Sequence, residues 1–246
     1  MLKQNRAGHW DVLNINNAYV RDFLLPAGCI QNLQNEALHQ HVETLPNFAQ
    51  RFVDWTQVNG NYFGVLQRFG PFNLVVNTNA IDLNSARDQG FALADDSAFH
   101  GRYAILLYED FNLFHVCMAS GVNPFLPLSS EELALVGAKI QQWIKHAACL
   151  SVDHHELNKK LVEGEIDFYL SGGIYTASPA RRAGHKEIVA VTPVRGPIGG
   201  RGGIAFAEVS SILARSENPL IAEKMLEHIL SSEIAVRIAQ NCNTSN

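Results

Sequence analysis

Short apolar runs alternate with helical patterns along most of this chain, and that alternation restricts its fold more than any other feature of the sequence. Runs of strand length occupy residues 9–15, 61–66, 73–77, 103–107, 166–170, 187–192 and 204–213. Segments with helical spacing or helix-start residues lie between many of these runs. Such alternation is typical of α/β layers, so we expect mixed, mostly parallel sheets flanked by helices.

Three helix starts are marked by capping residues. Ser129, with Glu132 three residues later, matches a capping box, in which each side chain bonds the other residue's backbone N–H. Asn218 and Pro219 suit the cap and first position of a second helix, and Ser232 is expected to cap a third. The first of these helices carries an apolar face at helical spacing, formed by Leu133, Val136, Ile140 and Ile144.

Two segments are predicted to be loops. Residues 67–71 contain Gly70 and Pro71 between two predicted strands. Residues 196–203 hold five glycines and one proline, so this second loop needs unusual backbone angles. It is not a nucleotide-binding loop, because it lacks a Gly-Lys-Ser/Thr ending and precedes a strand rather than a helix.

Charge and hydropathy exclude several classes of protein. The formal net charge is −5 and no block of Lys or Arg stands out, which argues against nucleic-acid binding. No run approaches the roughly 20 apolar residues of a membrane-spanning helix. The first residues lack the apolar segment of a signal peptide, so either the protein is cytoplasmic or its export signal lies outside this sequence.

Two histidine groups contain metal-ligand residue types. They are His39 with His41, and the Asp-His-His-Glu run at residues 153–156. Neither has the i, i+4 spacing that brings two imidazoles to one ion on a helix, and acidic residues suit a first helical turn. We therefore interpret residues 153–156 as a solvated helix start and predict no metal.

A catalytic cysteine is one alternative that the sequence raises. None of the four cysteines, Cys29, Cys117, Cys149 and Cys242, forms a Cys-x-x-Cys pair, and their apolar neighbours favour small buried side chains over disulfides. His115 lies two residues before Cys117, which is weak evidence for a thiolate–imidazole pair. No Gly-x-Ser-x-Gly motif is present.

Glu208 is the most informative acidic residue. It lies two residues after Phe206 in a predicted strand, so both side chains point to the same sheet face. A carboxylate there is costly to bury unless it is paired. Beside an aromatic ring it can hold an ammonium ion, by charge and by cation–π attraction. The alternative is a strand end at which Glu208 is simply hydrated.

The order of motifs resembles the spermidine/putrescine-binding proteins of ABC importers. The resemblance rests on five segments in the family's order, which are residues 9–20, 62–77, 101–121, 163–175 and 206–213. It implies a two-lobed, type II periplasmic-binding-protein-like fold. Residues 1–77 plus 205–246 would form one lobe, residues 78–204 the other, and the ligand would bind in the cleft between them. Relative to the family, the chain looks short at both ends.

The resemblance also implies the ligand-binding residues. Phe206 and Glu208 fall on an aromatic wall and an ammonium-binding carboxylate, and Asp110 falls on a second carboxylate. Asn16 falls on a polar contact and Phe69 on an aromatic one. Arg68 lies beside this pocket, and Ser171 and Tyr175 belong to the matching segment at 163–175. The predicted ligand-binding set is Asn16, Arg68, Phe69, Asp110, Ser171, Tyr175, Phe206 and Glu208.

This sequence departs from the family pattern. Leu113 stands where polyamine binders use a second acid, and Ala18 and Leu170 stand where they use aromatics. Arg68 adds a cation, and Arg201 is a candidate for another. A smaller amine, or a zwitterion whose carboxylate pairs with arginine, fits these changes better than a polyamine does.

The resulting prediction is a monomeric periplasmic or extracellular solute-binding protein. It would close around a small amine or zwitterion by hinge motion and deliver it to the membrane subunits of an ABC importer, without a cofactor. One alternative is an enzyme on the same fold that acts on an amine or thiamine-like substrate through Cys117 or Asp110. Another is an inert paralogue that serves as a partner-binding module.

Overall fold

The computed structural model describes residues 10–242, in which strands and helices alternate. The strands are β1 Val12–Asn16, β2 Ile30–Gln31, β3 Gln57–Val58, β4 Asn61–Tyr62, β5 Val65–Asn77, β6 Tyr103–Leu106, β7 Cys149–Ser151, β8 Phe168–Gly173, β9 Ile188–Val191 and β10 Ala205–Leu213. The helices are α1 Asn17–Tyr19, α2 Glu36–Glu43, α3 Asn47–Gln50, α4 Leu83–Gln89, α5 Glu109–Ala119, α6 Ser130–His146, α7 His154–Glu163, α8 Ile174–Arg182, α9 Pro219–Leu230 and α10 Ser232–Cys242. A π-helical turn at Val20–Leu24 follows α1, and short 3₁₀ turns occupy Val53–Trp55, Gly90–Asp95 and Ser97–Phe99.

The described residues form two units. Unit 1 comprises residues 10–70 and 206–242, and unit 2 comprises residues 71–205. The chain passes from unit 1 to unit 2 inside β5, between Gly70 and Pro71, and returns between Ala205 and Phe206. The sequence resemblance placed the first lobe boundary after residue 77, seven residues later than this crossing. It placed the second boundary after residue 204, one residue earlier than the return.

Unit 1 is built around β10. This strand pairs antiparallel with β1, from Val12 opposite Ile212 to Asn16 opposite Glu208, and its last residues pair with β2. Apolar side chains of α2 and α9 pack with Val65 and Ile212 in one cluster, and Val209 belongs to a second cluster. The register with β1 therefore places Asn16 beside Glu208 at the end of the pair.

Unit 2 contains the parallel part of the fold. Strand β6 pairs parallel with β7 and β8, whereas β5 pairs antiparallel with β8 and β9. Parallel neighbours need crossover connections, and α5, α6 and α7 supply them between β6, β7 and β8. The expected α/β class with mixed sheets and flanking helices is confirmed. The described ladders of β5 and β10 are antiparallel, whereas those that β6 forms with β7 and β8 are parallel.

Two of the three helix starts follow the predicted caps, whereas Ser232, predicted to cap the last helix, is its first residue. Ser129 Oγ accepts from Glu132 N at 3.2 Å and Glu132 Oε2 accepts from Ser129 N at 2.8 Å, which is the expected capping box. Helix α9 begins at Pro219 after Asn218, and α10 begins at Ser232 itself. The predicted apolar face of α6 is only partly correct, because Val136 is buried while Leu133 and Ile144 are exposed.

The predicted loop at residues 67–71 is wrong, because β5 runs through it without interruption. Gly70 and Pro71 are turn residues by composition, but here they lie where the chain changes unit. The described pairing of β5 with β8 begins at Phe72, so the missing N–H of Pro71 does not interrupt that ladder. Arg68 and Phe69 are consequently strand residues.

The glycine-rich segment at residues 196–203 is a loop, as predicted. Isolated bridges join Gly196 to Gly200 and Ile198 to Arg201, so the backbone folds back on itself within six residues. Gly199 and Gly200 have φ angles of 56° and 81°, a region that favours glycine.

No helix in residues 10–242 combines the length and the apolar character that a membrane crossing requires.

Candidate functional site

Arg68 on β5 and Glu208 on β10 form a two-pronged ion pair in unit 1. Arg68 Nε donates to Glu208 Oε2 and Nη2 donates to Oε1, both at 2.7 Å. The Arg68 side chain is 38% exposed and that of Glu208 is 16% exposed, so the carboxylate is the more buried partner. This pairing satisfies a carboxylate that would otherwise be costly to bury in a strand. A ligand that reaches Glu208 must share it with Arg68.

The other residues predicted beside Glu208 lie close to this pair. Asn16 is opposite Glu208 in the β1–β10 register. Phe206 and Glu208 are half-buried, whereas the alternate residues Ala207 and Val209 are fully buried, as expected if the first two share a face. A side chain on Gly70 would come within 3.8 Å of the Phe206 ring, so that ring lies next to the strand that carries Arg68.

Phe69 belongs to an aromatic cluster of unit 1. Its ring centroid is 4.4 Å from that of Phe52, which in turn meets Trp55 edge-on at 4.8 Å. Phe52 is buried with Leu66, and Phe69 packs against them. Phe69 therefore helps to hold β5 in place and is itself half-buried. We call Asn16, Arg68, Phe69, Phe206 and Glu208 the Glu208 group.

Ser171 in unit 2 is the centre of a buried polar network. Its hydroxyl accepts from Asn112 Nδ2 at 2.7 Å and meets His115 Nδ1 at 2.8 Å. His115 Nε2 lies 2.8 Å from the carbonyl oxygen of Phe72, which can only accept, so Nε2 carries the proton. His115 Nδ1 must then accept from Ser171, and burial keeps the ring neutral by lowering the pKa of His115 to about 3.

Ser171 was predicted to be a ligand-binding residue, and in the structure its hydroxyl lies inside this network. Ser171 and His115 are both fully buried, and the hydroxyl already bonds two side chains. Ser171 also has φ of +64°, a left-handed conformation that is uncommon outside glycine. It positions the end of β8 and the start of α8, which carries Tyr175.

Tyr175 lies on an aromatic surface of unit 2. Its hydroxyl is 2.7 Å from that of Tyr108, and its ring stacks on Phe72 with 5.8 Å between centroids and 12° between planes. Phe72 is buried, Tyr175 is half-buried and Tyr108 is exposed. Tyr108 meets Phe72 edge-on, at 75° between planes, so Tyr175 and Tyr108 present two differently oriented rings with adjacent hydroxyl groups, which suit an amine or a polar solute.

Asp110 lies in the first turn of α5 and its side chain is exposed. An acid in that position is favoured by the positive end of the helix dipole. Leu113, which replaces a family acid, lies one turn further along and lines an apolar cavity of about 170 Å³ with Ile144 and neighbours from β6 and β7. We call Asp110, Ser171 and Tyr175 the Tyr175 group.

The geometry gives no support to a cysteine nucleophile. Cys117 is fully buried and burial raises the pKa of its thiol. His115 bonds Ser171 and Phe72 instead of this thiol. Cys29 and Cys149 are free and half-buried, so the expectation that every cysteine is buried holds fully for Cys117 alone among these three.

One group of side chains in the described part of the chain has the residue types and proximity of a metal site. It is Asp153, His154 and His155, whose ligand atoms lie within 4.8 Å of one another. His39 instead bonds the carbonyl oxygen of Leu33 through Nε2.

Sequence reasoning missed Phe72, Tyr108 and Asn112, and it considered His115 only as a partner of Cys117. Asn112 and His115 are three residues apart and share a face of α5, a spacing visible in the sequence. Their common partner Ser171 is 56 positions after His115, so the network itself could be recognised only in the structure.

No protein-family model matches the sequence, and no curated protein matches it significantly. Solved structures do match. The spermidine/putrescine ABC transporter substrate-binding protein PotD of Streptococcus pneumoniae has a TM-score of 0.77 and 12% identity, covering 100% of this chain and 70% of that one. The Tp0655 (TpPotD) lipoprotein of Treponema pallidum has a TM-score of 0.79 and 13% identity, covering 97% and 70%. Apo ferric ion-binding protein A of Pasteurella haemolytica has a TM-score of 0.67 and 13% identity, covering 95% and 68%.

These likenesses show a periplasmic-binding-protein fold, and the fold expected from the sequence resemblance is confirmed. Two of these neighbours carry names that refer to very different solutes, spermidine/putrescine and ferric ion. The fold therefore accommodates more than one ligand chemistry, and the ligand of this chain has to be argued from its own residues.

Proposed function

We propose that this chain is an extracytoplasmic solute-binding protein that captures a small organic amine or zwitterion for an ABC-type importer. The fold that it shares with substrate-binding proteins of ABC transporters supports the class of function. The observation that carries the ligand class is the two-pronged pair between Arg68 and Glu208, on a face that also holds Phe206.

A zwitterion suits this pair better than a polycation. Its ammonium group can approach Glu208 while its carboxylate approaches Arg68, so one ion pair is exchanged for two and no charge is left without a partner. A polycation meets a carboxylate that Arg68 already neutralises, and must displace the guanidinium to gain it. The Phe206 ring can then cover the ammonium group by cation–π attraction.

The Tyr175 group supplies the second part of the proposal. Tyr175 and Tyr108 present rings and hydroxyls that suit the organic body of a small solute. That a single ligand contacts both groups and that the protein closes around it stay predictions, since closure requires a ligand with higher affinity for the closed state. Delivery to importer membrane subunits and a monomeric state are likewise part of the proposal.

The test combines ligand identification with a matched panel. Mass spectrometry of solute released from purified protein identifies the native ligand, and thermal-shift assays compare an α-amino acid series, putrescine and spermidine. We expect a small zwitterion or monoamine to raise the melting temperature, and Arg68→Ala to abolish the shift caused by a zwitterion, whose carboxylate loses its partner. The exposed pair variant Lys159→Ala/Glu163→Ala is the control, because it removes a surface ion pair on α7.

Two outcomes would contradict the proposal. Preferential stabilisation by spermidine would show that the ligand class is wrong while leaving the binding function intact. The absence of any small-molecule shift, together with no solute in the released fraction, would favour a partner-binding module instead.

A further inference from the structure

The start of α7 gathers three metal-ligand side chains that the proposed function does not use. Asp153 is the N-cap residue and accepts a hydrogen bond from His155 N at 2.8 Å. The His154 and His155 rings lie 4.3 Å apart between centroids, at 32° to each other. One carboxylate oxygen and one nitrogen from each ring fall within 4.8 Å of one another. The usual i, i+4 spacing is therefore not needed to bring these groups together.

The backbone before the helix holds Asp153 in place. Ser151 is buried, its hydroxyl accepts from Asp153 N at 3.0 Å, and it donates to Glu156 Oε2 at 2.6 Å. The turn from β7 into α7 is thus fixed on both sides of Asp153. A carboxylate has about four acceptor sites on its two oxygens, so the cap bond to His155 N leaves capacity for an ion.

The ring nitrogens of both imidazoles are available to an ion. Within residues 10–242, no side chain or backbone group forms a hydrogen bond with a ring nitrogen of His154 or His155. A neutral imidazole offers the lone pair that a metal ion takes.

We propose that Asp153, His154 and His155 bind one divalent transition-metal ion, with water in the remaining coordination positions. Two imidazoles and one carboxylate suit zinc or copper, whereas magnesium and calcium prefer oxygen ligands alone. Metal–nitrogen bonds of about 2.0–2.1 Å place tetrahedral ligand atoms roughly 3.3 Å apart. Side-chain rotations of His155 and Asp153, which are both exposed, can bring the three atoms to that spacing.

The site lies beside the Tyr175 group, because the His154 ring is 6.1 Å from the Tyr175 ring, edge to face. The metal is nevertheless a separate inference from the captured solute. Zinc can be titrated into protein freed of small molecules, so the test does not depend on the identity of that solute.

The experiment is isothermal titration of zinc chloride into the untagged chain at pH 7.5, with magnesium chloride as the comparison ion. We expect one zinc per chain and no heat from magnesium, which prefers oxygen ligands. His155→Ala should lower zinc affinity by at least about tenfold. Asp153→Asn should do the same, and it keeps a good N-cap, so α7 should remain folded.

The matched control is the other close histidine pair. His100 and His146 stack with 3.8 Å between centroids, and His100→Ala/His146→Ala removes two imidazoles without touching α7. This control should leave zinc binding unchanged. The proposal is overturned if the wild-type chain does not bind zinc, or if zinc affinity survives both α7 substitutions in protein whose thermal melt shows it to be folded. It is also overturned if the control removes as much affinity as the α7 variants.

Discussion

Arg68 and Glu208 lie 140 positions apart in the sequence, yet the guanidinium donates two parallel 2.7 Å hydrogen bonds to the two carboxylate oxygens. This fork geometry is among the stronger ion-pair arrangements in proteins. It ties β5 to β10 within unit 1 and sets the charge balance of the Glu208 group. The pair is therefore both a structural contact and the feature on which the proposed ligand class depends, and the two roles can be measured separately.

The structural role is measured by a double-mutant cycle on urea unfolding, with Arg68→Ala, Glu208→Ala and the double variant. We expect a coupling energy of about 1–2 kcal/mol, since the carboxylate is largely buried and the geometry is two-pronged. The same cycle on Lys159 and Glu163, an exposed i, i+4 pair at 3.8 Å, should give only about 0.3–0.5 kcal/mol. Equal couplings for the two pairs would show that the Arg68–Glu208 contact is an ordinary surface pair.

The ligand role is measured by Arg68→Lys, which keeps the positive charge but removes the planar fork. If the guanidinium engages a ligand carboxylate, calorimetric affinity for the native solute should fall about tenfold, which corresponds to about 1.4 kcal/mol. The melting temperature without ligand should change little, because lysine can still pair with Glu208. A fall in melting temperature with unchanged affinity would assign Arg68 to structure alone.

The sequence allowed the fold to be predicted where the signal was local. The capping box at Ser129 and the Asn218–Pro219 helix start depend on neighbouring residues, and both helices begin where expected. Gly70 and Pro71 gave a false loop, because local composition cannot show that β5 changes partners there. Pairing between distant residues was the hardest to foresee. Arg68 and Glu208 were each singled out, but the sequence could not show that they bond each other.

The sequence also could not show which side chains are exposed and which are buried. Helical spacing identified the apolar face of α6, but it could not show that Ile144 faces an open apolar cavity rather than the core. Ser171 was placed in the ligand-binding set from its neighbours in sequence, whereas its hydroxyl is buried against Asn112 and His115. Residue identity predicts which chemistry is available, and tertiary packing decides which groups a solute can reach.

Ser171 allows a comparison of backbone strain with buried hydrogen bonding. Replacement by glycine removes the cost of its φ of +64°, but leaves Asn112 and His115 without their shared partner. Replacement by alanine loses the same bonds and keeps the strain.

We expect both variants to be less stable, by about 1–3 kcal/mol, because buried polar groups lose a partner. Ser171→Gly should be the more stable of the two by about 1 kcal/mol. Urea unfolding of the three proteins measures the order, and an alanine variant as stable as the glycine variant would show that the backbone term is negligible.

His115 predicts how stability depends on pH. Burial lowers its pKa from 6.5 to about 3, so the folded chain keeps the ring neutral while the unfolded chain protonates it near pH 6.5. Below that pH the unfolded state binds a proton that the folded state excludes. Stability is therefore complete above about pH 6.5 and falls as the pH drops toward 3, by at most about 1.4 kcal/mol per pH unit from this residue. The fall has a structural meaning, since a protonated Nδ1 can no longer accept from Ser171.

Urea unfolding between pH 7.5 and 5 measures the slope, and His115→Gln should flatten it even though that variant is less stable throughout. A slope as steep in His115→Gln as in the wild-type chain would assign the acid sensitivity to other groups and would contradict a buried neutral imidazole at the centre of the Ser171 network.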